Sequence, residues 1–372
     1  MKPIASINIR RKFGKDIINK DFIRNQQENK INHINNKNVY NPSIKKKNIN
    51  TAKVPNNNII LHKKKSFIIN SNFNIKESKT KNNPQNVDEY VSDITKYIIE
   101  NESLNILNYN KINVFELQDN TEINEKKRKE IIELLIYYNY KWKLNPESIY
   151  LTINIMDRYI SKIKINKNEY EIIGLASFLI ASKYEDIYSP NAKALSYIYS
   201  FKYEPEEILV KENDILYVLE FCVLYHSSYK FLNLLYHFSC INNENVFFLA
   251  EFILELSLTD IKILKYSQRK RAIASFIIAN KIFNIRPQNY TIQLFFSLNE
   301  NDVKVLLKEL TNILKKVIYS EEKNLIAEKF KTPKYGCIVS IFENKFKERV
   351  EKRRNDISKE LTEKKRNNKE IA

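Results

Sequence analysis

Two of the four histidines and two of the three cysteines in this 372-residue chain fall close together: Cys222, His226, His237 and Cys240 read C-x3-H-x10-H-x2-C. Four such ligands could hold zinc if all of them converged on one point. His237 and Cys240 are three apart and can share a helical face, but the spacing matches no familiar zinc pattern. Buried cysteines with incidental histidines are the expected outcome, so no metal site is assigned. With no C-x-x-C pair, neither a disulfide framework nor a ribbon-type zinc site is expected, which suits a reducing compartment. Gly14, Gly174 and Gly336 stand alone, so no glycine-rich loop exists to cradle a phosphate. No Ser/His/Asp or paired-carboxylate arrangement stands out either. The chain is therefore expected to be non-catalytic and to need no cofactor.

A lysine poses a sharper question. The stretch 174-GLASFLIASKY-184 is small and apolar until Lys183, and 272-AIASFIIANKI-282 is identical to it at six of eleven positions, the lysine included. An ammonium is rarely buried without a partner. On chemistry alone Lys183 reads as a helix-end lysine, its stem packed, its head in water and its charge near the negative end of the dipole.

These stretches must sit on helices. Gly174, Ser177 and Ala181 line one side of the first, and Ala272, Ser275 and Ala279 take those places in the second, giving a small face that another helix can approach closely. A glycine inside a helix costs about 1 kcal/mol relative to alanine, so close packing is the reason to keep it. A helix apolar almost all round is a central one. Helical spacing predicts elements at 88–102, 124–141, 147–162, 168–186, 191–201 and 205–220, then at 229–240, 245–259, 267–284, 288–297 and 301–319. Asn145-Pro146-Glu147, Ser227-Ser228 and Asn301-Asp302 supply start signals. The matching stretches lie on the third helix of each set of five, 98 residues apart, which indicates a duplicated domain. The fold class is all-α: two tandem five-helix domains with an N-terminal helix and disordered basic ends.

The formal charge of +18 is unevenly placed. Residues 1–85 carry a net +15 and residues 341–372 a net +4, leaving the centre near −1. The Asn/Lys-rich arm at 1–85 has too little clustered apolar surface to offset the entropy of ordering, so it reads as disordered. A helix and linker follow at 86–123, the repeats at 124–225 and 226–340, and a charged tail at 341–372. The triplets 352-KRR-354 and 364-KKR-366 could serve nuclear import, although charge runs are more often solvated faces. No signal peptide and no long uncharged apolar run is evident, so a soluble, intracellular protein without membrane contact is expected.

Within this frame, 150-YLTINIMDRYI-160 and 181-ASKYEDIYSP-190 resemble the "DR" helix and the ASK-[FY]-EE-IYPP signature of the cyclins, the mitotic A and B types in particular. The resemblance runs from about Tyr90 through 328-EKFKTPKY-335 and takes in 255-ELSLTD-260 and 265-KYS-267. It implies a regulatory subunit that binds and activates a cyclin-dependent kinase in cell-cycle control, in the nucleus and cytoplasm, as a heterodimer. By position, Lys183 and Glu212 would hydrogen-bond the kinase backbone beside its αC helix, and Ile180, Tyr184 and Phe221 would pack on the kinase. The resemblance thus moves Lys183 from a solvated helix end to a partner contact. Arg128 and Asp157 match an internal ion pair read as structural, and Lys281, in register with Lys183, is also read as structural.

The departures are specific. Where mitotic cyclins carry an apolar patch for R-x-L substrates, this chain has Lys127, Glu130, Ile131, Leu134 and Glu171. A degenerate patch of this kind implies weak or altered docking of such substrates. No clear R-x-x-L destruction motif is present, the nearest form being Arg10 to Phe13, and the 211-KEN-213 triplet falls in a helix, where a structural role is expected. The alternative function is a nucleic-acid-associated module of the TFIIB type. Those proteins usually carry a zinc ribbon and basic repeats, and this chain has neither, so nucleic acid is not the expected partner.

Overall fold

The computed structural model describes residues 90–102, 114, 125–166, 169–239, 241, 243–285, 300–320, 324–346 and 348, and among them there are helices and turns but no strand. The arm at 1–85, the expected helix at 288–297 and the basic triplets of the tail lie outside these residues.

Helix α1 (Val91–Glu100) precedes the first repeat, which comprises α2 (Glu125–Lys141), α3 (Pro146–Ile160), α4 (Glu169–Glu185), α5 (Ala192–Ser196) with a 3-10 turn at Tyr197–Tyr199, and α6 (Pro205–Val218). The second repeat follows with α7 (Ser228–Ser239), α8 (Glu244–Leu258), a one-turn α9 (Ile261–Leu264), α10 (Gln268–Phe283), α11 (Glu300–Tyr319) and α12 (Leu325–Phe330). Local chemistry sets the starts. Asn145 Oδ1 accepts from the Glu147 N–H with Pro146 in the first turn, Ser227 Oγ accepts from the Lys230 N–H, and Glu204 and Glu207 form a capping box ahead of α6.

α4 is buried without a break from Tyr170 to Ser182, and α10 from Arg271 to Asn280. Each is the axis of its repeat: α4 packs on α2, α3 and α6, and α10 on α7, α8 and α11. A Cβ placed on Gly174 would lie 3.0 Å from Ile131 Cγ2, 3.6 Å from Leu135 Cδ1 and 3.9 Å from Met156 Sδ. The missing side chain is what lets α2 and α3 sit this close.

The repeats are joined through polar groups sealed from water. Arg128 on α2 donates from Nε to Asp157 Oδ1 at 3.0 Å and from Nη2 to Asp157 Oδ2 at 2.7 Å, while its Nη1 donates to the Leu258 carbonyl at 2.8 Å. The ion pair therefore ties α2 to α3, and its third bond reaches the end of α8 in the other repeat. α12 adds to this seam by packing on both α2 and α8. Beside α8, Lys329 donates to Glu255 and stands 4.0 Å from Glu251, all three side chains being buried. One ammonium serves two buried carboxylates, and Glu251 Oε1 has no hydrogen-bond partner. Burial foremost, and the charge of Glu255, push the Glu251 carboxyl well above its ordinary value against the pull of Lys329.

The structure corrects one boundary. Residues 338–346 are helical, and Ile338, Val339 and Phe342 are buried, so the packed region runs past 340 and the charged tail cannot begin at 341.

Two outcomes follow for stability. Arg128→Met strands Asp157 and is expected to cost about 3–5 kcal/mol in urea unfolding, with Arg128→Met/Asp157→Leu recovering most of that loss. Glu251 holds a proton in the folded chain that the unfolded chain releases near the ordinary value of 4.5. Its contribution is therefore present below that pH and is lost as pH rises. Glu251→Gln, permanently neutral, is expected to match wild type near pH 5 and to exceed it increasingly toward pH 8 in urea midpoints. Parallel pH profiles would show instead that Lys329 keeps the carboxylate ionised.

Candidate functional site

Lys183 lies in the last turn of α4 and Glu212 in the middle of α6, and the packing of these two helices brings them together. Lys183 Nζ donates to both Glu212 oxygens, at 2.7 and 2.8 Å. The lysine side chain is 47% exposed and the glutamate 10%, so the carboxylate is sunken and the ammonium stands over it with donors still facing water. The cation sits at the negative end of α4, where the dipole favours it.

Tyr184 adjoins Lys183 at the end of α4, Ile187 follows in the next turn, and Phe221 follows α6. Tyr184 is 49% exposed, Phe221 59% and Ile187 92%, more than folding alone explains for such side chains. Ile180 is 5% exposed and offers a partner little beyond an edge. Ile187 was not singled out from the sequence because it falls inside the 181-ASKYEDIYSP-190 signature. Its signal was an isoleucine in a turn between two helices, flanked by acids and a proline.

Phe221 is placed by an unusual turn. Glu220 and Phe221 are both left-handed, at φ 53° and 56°, a conformation that costs a non-glycine residue roughly 1–2 kcal/mol. The Phe221 N–H donates to the Leu216 carbonyl at 2.9 Å, and the ring meets Tyr217 edge-on at 5.5 Å. The strain is spent on turning an aromatic ring outward.

At the other end of α4, Glu171 accepts from Lys127 Nζ at 2.7 Å, Lys202 Nζ at 2.7 Å and Tyr203 Oη at 3.0 Å. Burial pushes this carboxyl up, but the three donors outweigh it and hold it below the ordinary carboxylate value. Glu130 is exposed and Leu134 partly so. Ile131 is 2% exposed and packs toward Gly174, so it is removed from the surface patch expected of it.

The Cys/His quartet does not assemble among the described residues. Cys222 is exposed, His226 is buried against Tyr97 with neither ring nitrogen hydrogen-bonded, His237 sits on α7, and Cys240 lies outside them. No three His, Cys, Asp or Glu side chains group to hold a metal ion among the described residues. In the 211-KEN-213 triplet, Lys211 pairs with Glu169 and Asp214, so two of its three side chains are engaged within the fold. Lys281 is exposed at the end of α10. Among the described residues no helix is long and apolar enough to cross a membrane.

Residues 93–224 match the family described as "Cyclin, N-terminal domain", and residues 226–345 match "Cyclin, C-terminal domain". The chain belongs to the cyclin family. Both cyclin domains are present in tandem, divided at the junction between α6 and α7. The chain is 28% identical over 255 residues to the G2/mitotic-specific cyclin-A of Hydra viridissima, covering 68% of this chain and 59% of that protein. It is 30% identical over 251 residues to the G2/mitotic-specific cyclin-B of Spisula solidissima, covering 68% and 56%. Against cyclin-A1 of Homo sapiens it is 30% identical over 256 residues, covering 68% and 53%. The chain thus spans somewhat more than half the length of these cyclins.

A half-exposed ion pair contributes little to folding. Lys183→Ala and Glu212→Ala are each expected to shift urea-unfolding stability by less than about 1 kcal/mol. A larger loss would show that the pair holds α4 on α6.

Proposed function

We propose that this cyclin is the non-catalytic regulatory subunit of a cyclin-dependent protein kinase, which it binds and activates through the α4–α6 face. The observation that carries this reading is the Lys183–Glu212 pair, positioned by two helices at the edge of a surface with Tyr184, Ile187 and Phe221 exposed. The pair is suited to exchange. Lys183 has donors free to meet backbone carbonyls of a partner helix end, and Glu212 can accept from backbone N–H groups there. Opening a half-exposed pair costs about 1 kcal/mol or less, and charge-assisted contacts in a newly dried interface offset it. The apolar side chains supply area that the pair does not. Membership of the family and the match of Lys183 and Glu212 to its kinase-contacting lysine and glutamate support the assignment. Activation would consist of holding the kinase's own Lys–Glu pair and activation segment in place, with all catalytic groups on the kinase.

A nucleic-acid-binding reading is less well supported, because the helical centre is close to neutral and the basic charge lies in the two ends.

The test is binding and activation of cyclin-dependent kinases from the same cell by the purified full chain. Wild type is expected to form a heterodimer and stimulate phosphate transfer. Lys183→Ala and Glu212→Ala are each expected to weaken binding about tenfold or more, roughly 1.4 kcal/mol. A wild-type chain that binds no such kinase but holds DNA or RNA with a steep salt dependence would overturn the proposal.

A further inference from the structure

The centre of the chain is near neutral only as a sum. Residues 86–123 carry a net −6, residues 124–225 a net −1 and residues 226–340 a net +6. Among the described residues of the second repeat, the buried cations Arg271 and Lys329 are matched in number by the buried acids Glu251 and Glu255, so burial does not account for the excess.

Helix α11 shows where part of that excess goes. Val303, Leu306, Leu310 and Leu314 are buried, and the helix packs on α8, α9 and α10. At 100° per residue, Lys304, Val305, Lys308, Lys315, Lys316 and Tyr319 fall in one arc of roughly 120° on the opposite side, and all six are exposed. Lys304 and Lys316 are twelve residues apart, about 18 Å. Glu309 borders the arc, but Lys265 Nζ stands 3.5 Å from its Oε1 and its Oε2 is shut off from water. The exposed arc therefore carries charge of one sign.

Helix stability does not explain this arrangement. The dipole favours Lys315 and Lys316 toward the C-terminal end, but it disfavours Lys304 near the N-terminal end. Lys304 and Lys308, four apart, also repel one another. Elsewhere an exposed helical lysine has an acid of its own helix beside it, as Lys129 has Glu133 on α2. On α11, among the described residues, none of the four lysines is in an ion pair. Val305 is 64% exposed and Tyr319 67%, so the basic stripe has an apolar side chain near each end.

We propose that the α11 stripe is a docking surface for an acidic peptide segment of a partner, its carboxylates meeting the four lysines and its apolar side chains covering Val305 and Tyr319. Charge complementarity selects that occupant. The chain's own ends do not fit, since 1–85 carries +15 and 341–372 carries +4, and a second copy pairing through the same face would bring like charge. A nucleic-acid backbone would supply anions but no apolar side chain for Val305. The stripe lies on the second repeat and the Lys183–Glu212 pair on the first, and the inference does not rest on the kinase reading.

The experiment is selection of a randomised peptide display library on the immobilised full chain. The library is first passed over Lys304→Gln/Lys308→Gln/Lys315→Gln/Lys316→Gln, which keeps the basic arm and removes peptides held by it. Wild type is then expected to enrich peptides with net negative charge and Leu, Val or Phe anchors. By fluorescence anisotropy these should bind at least about tenfold more weakly to Lys304→Gln/Lys308→Gln and to Lys315→Gln/Lys316→Gln, and should weaken with added salt. The control Lys143→Gln/Lys193→Gln, which removes two exposed lysines from the first repeat, should bind like wild type. All substituted side chains are exposed, so every variant is expected to keep the wild-type circular dichroism and melting temperature. Enrichment of basic peptides, or of peptides weakened equally by the control, would overturn the proposal. So would enrichment of none, the result expected if the chain's own acidic segment 86–123 covers the stripe. A DNA or RNA oligonucleotide of matched charge that binds more tightly than the peptides, and through the same lysines, would overturn the choice of a peptide.

Discussion

A guanidinium shut off from water cannot leave its charge and N–H groups unanswered, and the position of Arg128 makes that constraint govern the whole molecule. Its answer comes from two places at once: the Asp157 carboxylate on α3 and the Leu258 carbonyl at the end of α8. The first fixes how α2 crosses α3. The second brings the negative end of a helix in the other domain onto the same charge. Any slip between the two cyclin domains would expose or unpair a buried ion. Alignment of the domains is thereby coupled to packing within the first, and α4 is seated in a frame that cannot relax independently.

That frame leaves α4 no polar side. With every residue from Tyr170 to Ser182 buried, the helix can meet a partner only through its ends. The dipole then sorts the chemistry: an acid, Glu171, in the first turn and a cation, Lys183, in the last. Each end has a charged group of the following segment folded against it, Lys202 at one and Glu212 at the other. Its two ends are what a central apolar helix leaves near the surface.

Much of this was legible in the sequence, for reasons that differ by residue. The duplication showed because α4 and α10 face the same packing problem and solve it with the same small and bulky residues. Gly174 showed because a glycine inside a helix needs a reason. Lys183 showed because a charge at the end of an apolar run is conspicuous. The Lys183–Glu212 pairing did not show, since 29 residues separate the partners and only the packing of α4 on α6 decides that they meet. The burial of Glu251, Glu255 and Lys329 did not show, for it depends on α12 packing on α8. Ile131 read as patch surface because helical spacing gives a face and not its depth. The one-turn α9 is too short to show periodicity.

The two ends of α4 differ in how much rearrangement they allow. At the Lys183 end a single cation stands over a single carboxylate, half in water, and swapping that contact for others is nearly free. At the Glu171 end one carboxylate is gripped by two ammonium groups and a phenol from two separate places in the chain, Lys127 on α2 and the adjacent Lys202 and Tyr203, and releasing any of them leaves the rest mismatched. The first face can therefore trade its own polar bonds for those of a partner helix end, which suits recognition of one backbone geometry. The second must keep its bonds, so Lys127, Lys202 and Tyr203 stay fixed on the first turn of α4.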